Sequence, residues 1–238
     1  TGIMITGGTS HTLLENTVAA SSGAGIDSTG SPTSLTIRDN IVSSSGSVGI
    51  RLCCTAPATN TIINNQVTSN IGTGIIISGG SGNTIDSNTV LNNTGGITLS
   101  SSVTATVTKN MVGETTGVGI TIGAGSTGSK VTINTVRNAT SDGILISANT
   151  AKLYHNTVNG NTGDGVEVGA SITGFDLRNN IVSNNTGGGI NAPAGGTINF
   201  NDYFNNTGGA CINGCANGAN SIISDPLFVN PASPTYDF

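Results

Sequence analysis

Residues 74–95 read GIIISGGSGNTIDSNTVLNNTG, and variants of this 22-residue stretch follow one another along the chain. Each unit opens with Gly and a β-branched residue, and successive units start 22 to 25 residues apart. Spacing this regular is the signature of a repeat architecture, in which each unit buries its apolar face only against its neighbours. The units begin near residues 2, 25, 49, 74, 96, 119, 143, 165, 189 and 211, the last with Cys in place of Gly.

Within each unit, apolar residues alternate with polar ones as they do in a β-strand. The opening segment reads Gly-Ile-x-Ile, as at Ile75 and Ile77. A second apolar column is formed by Leu13, Ile37, Ile62, Ile85, Val107, Val131, Leu153, Leu177, Ile198 and Ile222. A third column follows five residues later, at Val18, Val42, Val67, Val90, Val112, Val136, Val158, Val182 and Tyr203. Three columns predict three strands per coil, which pair in parallel with the coils above and below.

An Asn lies three residues after each member of the second column, in nine consecutive units. These residues are Asn16, Asn40, Asn65, Asn88, Asn110, Asn134, Asn156, Asn180 and Asn201, and Asp225 follows in the tenth unit. Asn tolerates the left-handed backbone of a sharp corner, and stacked amide side chains can hydrogen-bond along an axis. We therefore expect a structural Asn ladder here. A shorter ladder is expected at Asn70, Asn93, Asn161, Asn185 and Asn206.

These coils resemble the repeats of right-handed parallel β-helix proteins of the pectin-lyase-like superfamily. The stretch SDPLFVNP at 224–231 resembles the closing sequence of bacterial members, so 224–238 is expected to close a single domain at 1–238. The resemblance implies an all-β, single-stranded solenoid of about ten coils and three parallel sheets. It selects no activity, because the superfamily includes lyases, hydrolases, epimerases and adhesins. Relatives commonly carry more sequence at both ends, so the chain is expected to be part of a longer protein.

Composition excludes several kinds of partner. The net charge is −5, only 8% of residues are charged, and the sequence has no cluster of Lys and Arg. Nucleic acid is therefore not expected as a partner, since phosphate binding needs clustered positive charge. No apolar run of about 18 residues is present, so membrane insertion is not expected. The Ser-, Thr- and Asn-rich surface predicts an extracellular or cell-surface protein.

Four cysteines form two local pairs, Cys53 with Cys54 and Cys211 with Cys215. The pairs lie seven coils apart, and at about 4.8 Å per coil this separates them by roughly 34 Å, beyond the reach of a disulfide. Any bridge is therefore local or between chains. Cys211 and Cys215 could close a small loop, and Cys53 and Cys54 would need a vicinal bridge. Free thiols remain the alternative.

The outward column of the first strand is where enzymes of this fold typically work. It contains only two acidic residues, Asp27 and Glu167, six coils apart. Glycoside hydrolysis needs two carboxylates about 5 to 9.5 Å apart, so this pair cannot cooperate. Asp142, Asp164 and Glu167 are expected to lie close together and are the candidate ligands of a calcium ion. Turn formation explains the two Asp-Gly sequences equally well, and no other cofactor is expected.

A second candidate group falls on the second strand. Tyr154 and Arg178 are expected to be neighbours in its outward column, with His155 beside them, and together such residues can abstract protons. The alternative is a polar outer face with no catalytic role. Asp27 and Arg51, one coil apart, are expected to form a surface ion pair of little energetic value.

The surface lacks the dense carboxylate cluster that chemistry on this fold requires. We therefore expect a non-catalytic extracellular structural, adhesive or filament-forming protein that contacts polysaccharide. A polysaccharide lyase, or a related enzyme acting on an acidic polysaccharide in the groove of the first sheet, is the alternative. Because a β-helix without caps exposes strand edges, end-to-end or lateral association with further copies of the chain is a second expected partnership.

Overall fold

The computed structural model of the protein describes residues 1–54 and 59–229, with the backbone alone at Cys54. Residues 230–238 of the expected closing segment and the side chain of Cys54 lie outside the described residues. The described residues contain 28 strands and no helix. Accordingly, no helix there could cross a lipid bilayer.

The strands, numbered in chain order, form three parallel sheets. The first contains β1 (Ile3–Ile5), β4 (Ile26–Ser28), β7 (Ile50–Cys54), β10 (Thr73–Gly79), β13 (Gly95–Ser100), β16 (Ile120–Ile122), β19 (Ile144–Ile146), β22 (Val166–Val168), β25 (Ile190–Asn191) and β28 (Cys211–Ile212). The second contains β2 (Thr12–Leu14), β5 (Thr36–Arg38), β8 (Thr61–Ile63), β11 (Thr84–Asp86), β14 (Thr106–Thr108), β17 (Lys130–Thr132), β20 (Lys152–Tyr154), β23 (Asp176–Arg178) and β26 (Thr197–Asn199). The third contains β3 (Thr17–Ala19), β6 (Ile41–Ser43), β9 (Gln66–Thr68), β12 (Thr89–Leu91), β15 (Met111–Gly113), β18 (Thr135–Arg137), β21 (Thr157–Asn159), β24 (Ile181–Ser183) and β27 (Asp202–Phe204).

Each coil adds one strand to each sheet, and the predicted columns stack in register. Ile75 pairs with Ile97 in the first sheet and Ile85 with Val107 in the second, and all four side chains are fully buried. Burying such a side chain contributes about 1.5–3 kcal/mol relative to exposing it. The expectation of a right-handed parallel β-helix with three sheets is confirmed.

The tenth coil differs from the sequence expectation. Cys211 pairs with Ile190, so Cys211 occupies the Ile position and Ala210 the position of the repeat Gly. Ile222 does not join the second sheet: it bridges to Asp202 of the third sheet, and its side chain is 56% exposed. In the described residues the solenoid therefore has nine complete coils and a partial tenth, which joins the first sheet and bridges to the third but adds no strand to the second.

Glycine opens each coil because the chain passes too close to its neighbours for a side chain. A Cβ on Gly143 would lie 2.5 Å from Cγ1 of Val158 and 2.7 Å from the carbonyl oxygen of Gly165. Real Cβ atoms do not approach other heavy atoms this closely. The Gly column is thus set by packing against the third apolar column and the next coil, and φ is not positive there.

The Asn ladder is confirmed, and Asn134 shows how it works. Its Oδ1 accepts hydrogen bonds from the backbone N–H (2.9 Å) and Nδ2 (3.0 Å) of Asn110. Its own Nδ2 lies 3.0 Å from the carbonyl oxygen of Val107 and 3.0 Å from Oδ1 of Asn156. The shorter ladder forms too, with Asn70 bonded to Asn93 and Asn161 to Asn185.

The ladder Asn does not itself adopt the left-handed conformation, contrary to the sequence expectation. The residue before it does, with φ between 54° and 59° in all nine coils: Glu15, Asp39, Asn64, Ser87, Lys109, Ile133, His155, Asn179 and Phe200. The corner therefore divides two tasks between neighbours. One residue makes the turn, and Asn supplies the amide that satisfies the buried backbone groups. In the tenth coil, Oγ of Ser221 accepts the hydrogen bond from the N–H of Asn201. Asp225 does not join the ladder, and its Oδ1 accepts the N–H of Leu227 instead.

Cys211 and Cys215 form a disulfide with a Cα–Cα distance of 5.7 Å. The sequence analysis gave this bridge as one of several alternatives. Cys53 is a half-buried free thiol in β7. The side chain of Cys54 is not among the described ones. The disulfide joins the start of the partial tenth coil to the turn that follows it.

Replacing Asn134 by Ala should lower the free energy of unfolding by about 2–4 kcal/mol, because buried donors on Asn110 lose their acceptor. Urea denaturation measures the change. Asn16→Ala is the matched control at the first coil, where the amide is half-buried and donates without accepting from another Asn. A loss for Asn134→Ala no larger than for Asn16→Ala would contradict this account of the ladder.

Replacing Ile133 by Asn should raise the free energy of unfolding by about 1 kcal/mol, because a β-branched side chain is strained in the left-handed region. Ile133 is 54% exposed, so little burial is lost. The reverse variant, Asn179→Ile at the same corner register, should destabilise by a similar amount. Thermal unfolding of both variants tests the prediction, and equal melting temperatures for the two would refute it.

Candidate functional site

Three acidic residues meet at the edge and outer face of the first sheet. Asp142 and Asp164 precede β19 and β22, and Glu167 projects outward from β22. Oδ1 of Asp142 accepts the N–H of Asp164 at 2.8 Å, and Oδ1 of Asp164 accepts the N–H of Gly188 at 2.5 Å. Each Asp thus binds a backbone amide of the following coil. This is the turn role that the sequence offered as the alternative to a metal site.

A row of hydrogen-bonded Asn side chains continues from these acidic residues toward the last coil. Oδ2 of Asp164 accepts a hydrogen bond from Nδ2 of Asn191 at 2.8 Å. Oδ1 of Asn191 in turn accepts one from Nδ2 of Asn213 at 2.7 Å. Because Glu167 and Asn191 are register partners in adjacent strands, these groups form one connected polar patch. We call Asp164, Glu167, Asn191 and Asn213 the acid-amide file.

Glu167 has the most perturbed carboxyl group of this patch. Partial burial, followed by its hydrogen bond to Asp164 and the charges of Asp164 and Asp142, raises the pKa of Glu167 from 4.5 to about 7. Burial also raises the pKa of Asp142. Oε2 of Glu167 is buried without a hydrogen-bond partner in the described residues. Glu167 is therefore protonated for much of its time near neutral pH and can donate a hydrogen bond.

Three of the carboxylate oxygens that calcium would need, Oδ1 of Asp142 and both oxygens of Asp164, already accept amide N–H groups. The described part of the chain contains no group of three His, Cys, Asp or Glu side chains placed to hold a metal ion. A calcium ion would have to displace the N–H groups of Asp164 and Gly188 from their acceptors. The residues present therefore do not fit a preformed calcium site, and calcium binding at Asp142, Asp164 and Glu167 stays a prediction.

Tyr154 and Arg178 meet on the second sheet through a third residue. The Tyr154 hydroxyl donates to Oδ2 of Asp176 at 2.7 Å, and Nε of Arg178 lies 2.6 Å from Oδ1 of the same carboxylate. Burial and this hydrogen bond raise the pKa of Tyr154, whereas a phenolate base needs a lowered one. His155 occupies the left-handed corner position and is exposed. The sequence analysis did not identify Asp176 as a member of this group. Its position two residues before Arg178 in the same strand was the available signal, because it places both side chains on the outer face.

The two candidate groups belong to different sheets. Tyr154 and Arg178 are in β20 and β23 of the second sheet, and Glu167 is in β22 of the first. A base and an acid that face different directions cannot act on one bond. The arrangement therefore provides no combined acid–base pair from the residues that the sequence singled out.

Asp27 and Arg51 form a closer pair than expected. Nε of Arg51 lies 2.8 Å from Oδ1 of Asp27, and Nη2 lies 2.5 Å from Oδ2. The Asp27 side chain is only 4% exposed, against 40% for Arg51. The expectation of a surface ion pair is wrong for Asp27, which is buried. Removing Arg51 would leave the buried carboxylate without its partner, and the energetic value of the pair stays a prediction. Arg51 is thereby engaged and is not free to bind a ligand anion with its full guanidinium.

The stability of the protein should fall as the pH rises from about 5 to about 8. Glu167 binds its proton more tightly in the fold than in the unfolded chain, so the folded state holds more protons between 4.5 and about 7, and stability is lost as pH rises through this window. The loss should be about 1 kcal/mol, because solvent screens a partly exposed group. Melting temperatures across this range measure it. Glu167→Gln should reduce the slope, whereas Glu15→Gln, at an exposed corner, should not; an unchanged slope in Glu167→Gln would contradict the assignment.

The fold is shared with several solved structures. The A-module of the mannuronan C-5 epimerase AlgE6 of Azotobacter vinelandii matches with a TM-score of 0.69 at 18% identity, over 92% of this chain and 65% of that one. The periplasmic alginate epimerase AlgG matches with a TM-score of 0.65 at 19% identity, over 81% and 50%. The Dettilon tailspike protein matches with a TM-score of 0.58 at 14% identity, over 82% and 47%. The chain thus spans between about half and two thirds of these proteins, and at such identities the likeness is one of fold.

Sequence comparison places the chain in a family. No curated protein matches it in sequence. The family model described as right handed beta helix region matches residues 1–136, which is more than half of the 238 residues. The matched part contains the first five coils and most of the sixth, with their strands in all three sheets and six members of the Asn ladder. The chain therefore belongs to the right-handed β-helix family.

Proposed function

We propose that the protein binds a polysaccharide along the outer face of the first sheet and does not cleave it. The observation that carries this proposal is the acid-amide file of Asp164, Glu167, Asn191 and Asn213, joined by hydrogen bonds of 2.7–2.8 Å between Asp164, Asn191 and Asn213. Carboxylate and amide groups in a row suit the hydroxyl groups of sugars, which both donate and accept hydrogen bonds. The protonated form of Glu167 adds a donor.

The charge of this face favours a neutral polysaccharide. Asp142, Asp164 and Glu167 lie together there, and the cation in the outward column of the first sheet, Arg51, is engaged by Asp27. A uronate polymer would bring further negative charge to this cluster and be repelled. Neutral sugars avoid this cost. The ligand class is therefore a neutral polysaccharide at this face.

An extracellular or cell-surface location accompanies the proposal. The disulfide between Cys211 and Cys215 is typical of proteins in oxidising compartments. The proteins of similar fold include an alginate epimerase described as periplasmic and a tailspike protein, which supports a polysaccharide partner. In this role the protein is structural or adhesive. Filament formation by end-to-end stacking stays a prediction, for which light scattering at high concentration is the measurement.

The second candidate function is a lyase or related enzyme acting on an acidic polysaccharide. One observation favours it: Glu167, with its pKa raised to about 7 beside two Asp residues, has the properties of a general acid. Against it, the Tyr154 and Arg178 group lies on another sheet. The acidic face also lacks the positive charge that would stabilise a uronate carbanion.

Affinity electrophoresis in gels that contain dextran, mannan or xylan tests the binding proposal. The double variant Glu167→Ala with Asn191→Ser should weaken binding at least tenfold, because it removes two adjacent hydrogen-bonding groups. Gln66→Ser, on the exposed face of the third sheet, is the matched control and should bind as the wild type does. Equal binding by the double variant, or binding to none of the three polymers, would contradict the proposal.

Incubation with polygalacturonate and alginate, with and without calcium, tests the enzymatic alternative through the ultraviolet absorbance of unsaturated uronates. We expect no product. Calcium-dependent turnover that disappears in Asp164→Asn would overturn the non-catalytic proposal and support the alternative.

A further inference from the structure

The outer face of the second sheet carries an interrupted file of threonines. Thr12, Thr36, Thr61, Thr84 and Thr106 stack in register over five coils. The next three positions are Lys130, Lys152 and Asp176, after which Thr197 resumes the pattern. Thr fits this position in six of nine coils, so the fold does not require Lys there. The change of residue type therefore needs another explanation.

Lys130 and Lys152 are direct register partners in adjacent parallel strands. Both alternate with buried residues and so point outward, and Lys130 is exposed. None of the four ion pairs among the described residues includes either lysine. Like charges on directly opposed positions of a sheet are destabilising. Two lysines on adjacent strands about 4.8 Å apart, neither of them in one of these ion pairs, thus form a place that an anion would stabilise.

The neighbouring outward file extends this positive surface. It contains Tyr154 and Arg178, which both bond to the carboxylate of Asp176. Asp86 stands in the same file three coils before Tyr154. Arg178 remains 44% exposed while bonded to Asp176. Asp176 is the register partner of Lys152, but its two oxygens are bonded to Arg178 and Tyr154, and none of the four ion pairs of the described residues joins it to either lysine. We call Lys130, Lys152, Tyr154 and Arg178 the basic strip.

We propose that the basic strip binds an acidic polysaccharide, with its carboxylates on Lys130, Lys152 and Arg178 and a sugar ring against Tyr154. A linear polyuronate carries one carboxylate per sugar, a repeat on the scale of the coil spacing. Nucleic acid fits less well, because the strip has few cations and the chain as a whole carries a net charge of −5. The strip lies on a different sheet from the acid-amide file, so it is a second, independent site.

The test measures the affinity for polygalacturonate oligosaccharides by calorimetry at low salt. The double variant Lys130→Thr with Lys152→Thr restores the residue that six other coils use, and it should fold normally, with a melting temperature equal to or above that of the wild type. Its affinity should fall at least tenfold. Lys130→Arg with Lys152→Arg should retain binding, and Arg38→Thr, a loss of positive charge elsewhere on the second sheet, should change it less than twofold.

Three results would overturn the proposal. The first is unchanged affinity in the Thr double variant. The second is equal affinity for polygalacturonate and uncharged dextran in the variant Glu167→Ala with Asn191→Ser, in which the neutral-polysaccharide site of the first sheet is removed, and the last is tighter binding of single-stranded DNA than of polygalacturonate. The last would reassign the strip to nucleic acid. Glu167→Ala with Asn191→Ser separates this site from the first-sheet site. That variant should bind polygalacturonate with unchanged affinity, whether or not it loses affinity for neutral polysaccharides.

Discussion

The buried amide at one corner of each coil is the interaction on which the rest of the structure depends. Asn134 accepts the backbone N–H of Asn110 at a place that water does not reach, and the same bond recurs from coil to coil. A buried N–H without an acceptor costs about 1–3 kcal/mol, so each coil must present its Asn at the same height as the next. This fixes the register between the second and third sheets. The apolar columns then stack without offset.

Much of the fold could be predicted from the sequence because its determinants are local and repeated. The Gly-Ile and Asn positions recur at nearly constant spacing, so averaging over coils makes the pattern evident. The left-handed residue before each Asn was not foreseen, since Glu15, Ile133 and Phe200 share no chemistry and only the backbone distinguishes them. The buried ladder step from Leu35 to Asn60 and on to Asn83 was also missed, because it spans too few coils to form a pattern.

The candidate sites were less predictable because they depend on single residues. The sequence grouped Asp142, Asp164 and Glu167 correctly in space, yet which oxygen faces which amide depends on side-chain geometry. Asp176 escaped notice because its role exists only through Tyr154 and Arg178. Lys130 and Lys152 directly precede Val131 and Leu153 of the second apolar column, so the coil register implies that the two lysines are neighbours. The sequence could not show that neither takes part in the four ion pairs of the described residues. Because the chain winds into coils, residues one coil apart in sequence lie side by side on a sheet. The surface charge must therefore be read along the sheet and not along the sequence.

The constant five-residue interval between the second and third columns has a consequence for how this protein can change. Coil length varies from 22 to 25 residues, but this interval does not. The segment from the third column to the next opening Gly is nearly constant too, at seven residues in every step but one. Coil length therefore varies mainly between the first and second sheets, where the opening Gly lies 9 to 13 residues before the second column. The corner between the first and second sheets is therefore the natural point for grafting foreign peptides or lengthening loops. The corner with the Asn ladder, in contrast, has a fixed length. At this corner the chain can be lengthened or shortened only by whole coils, not by single residues.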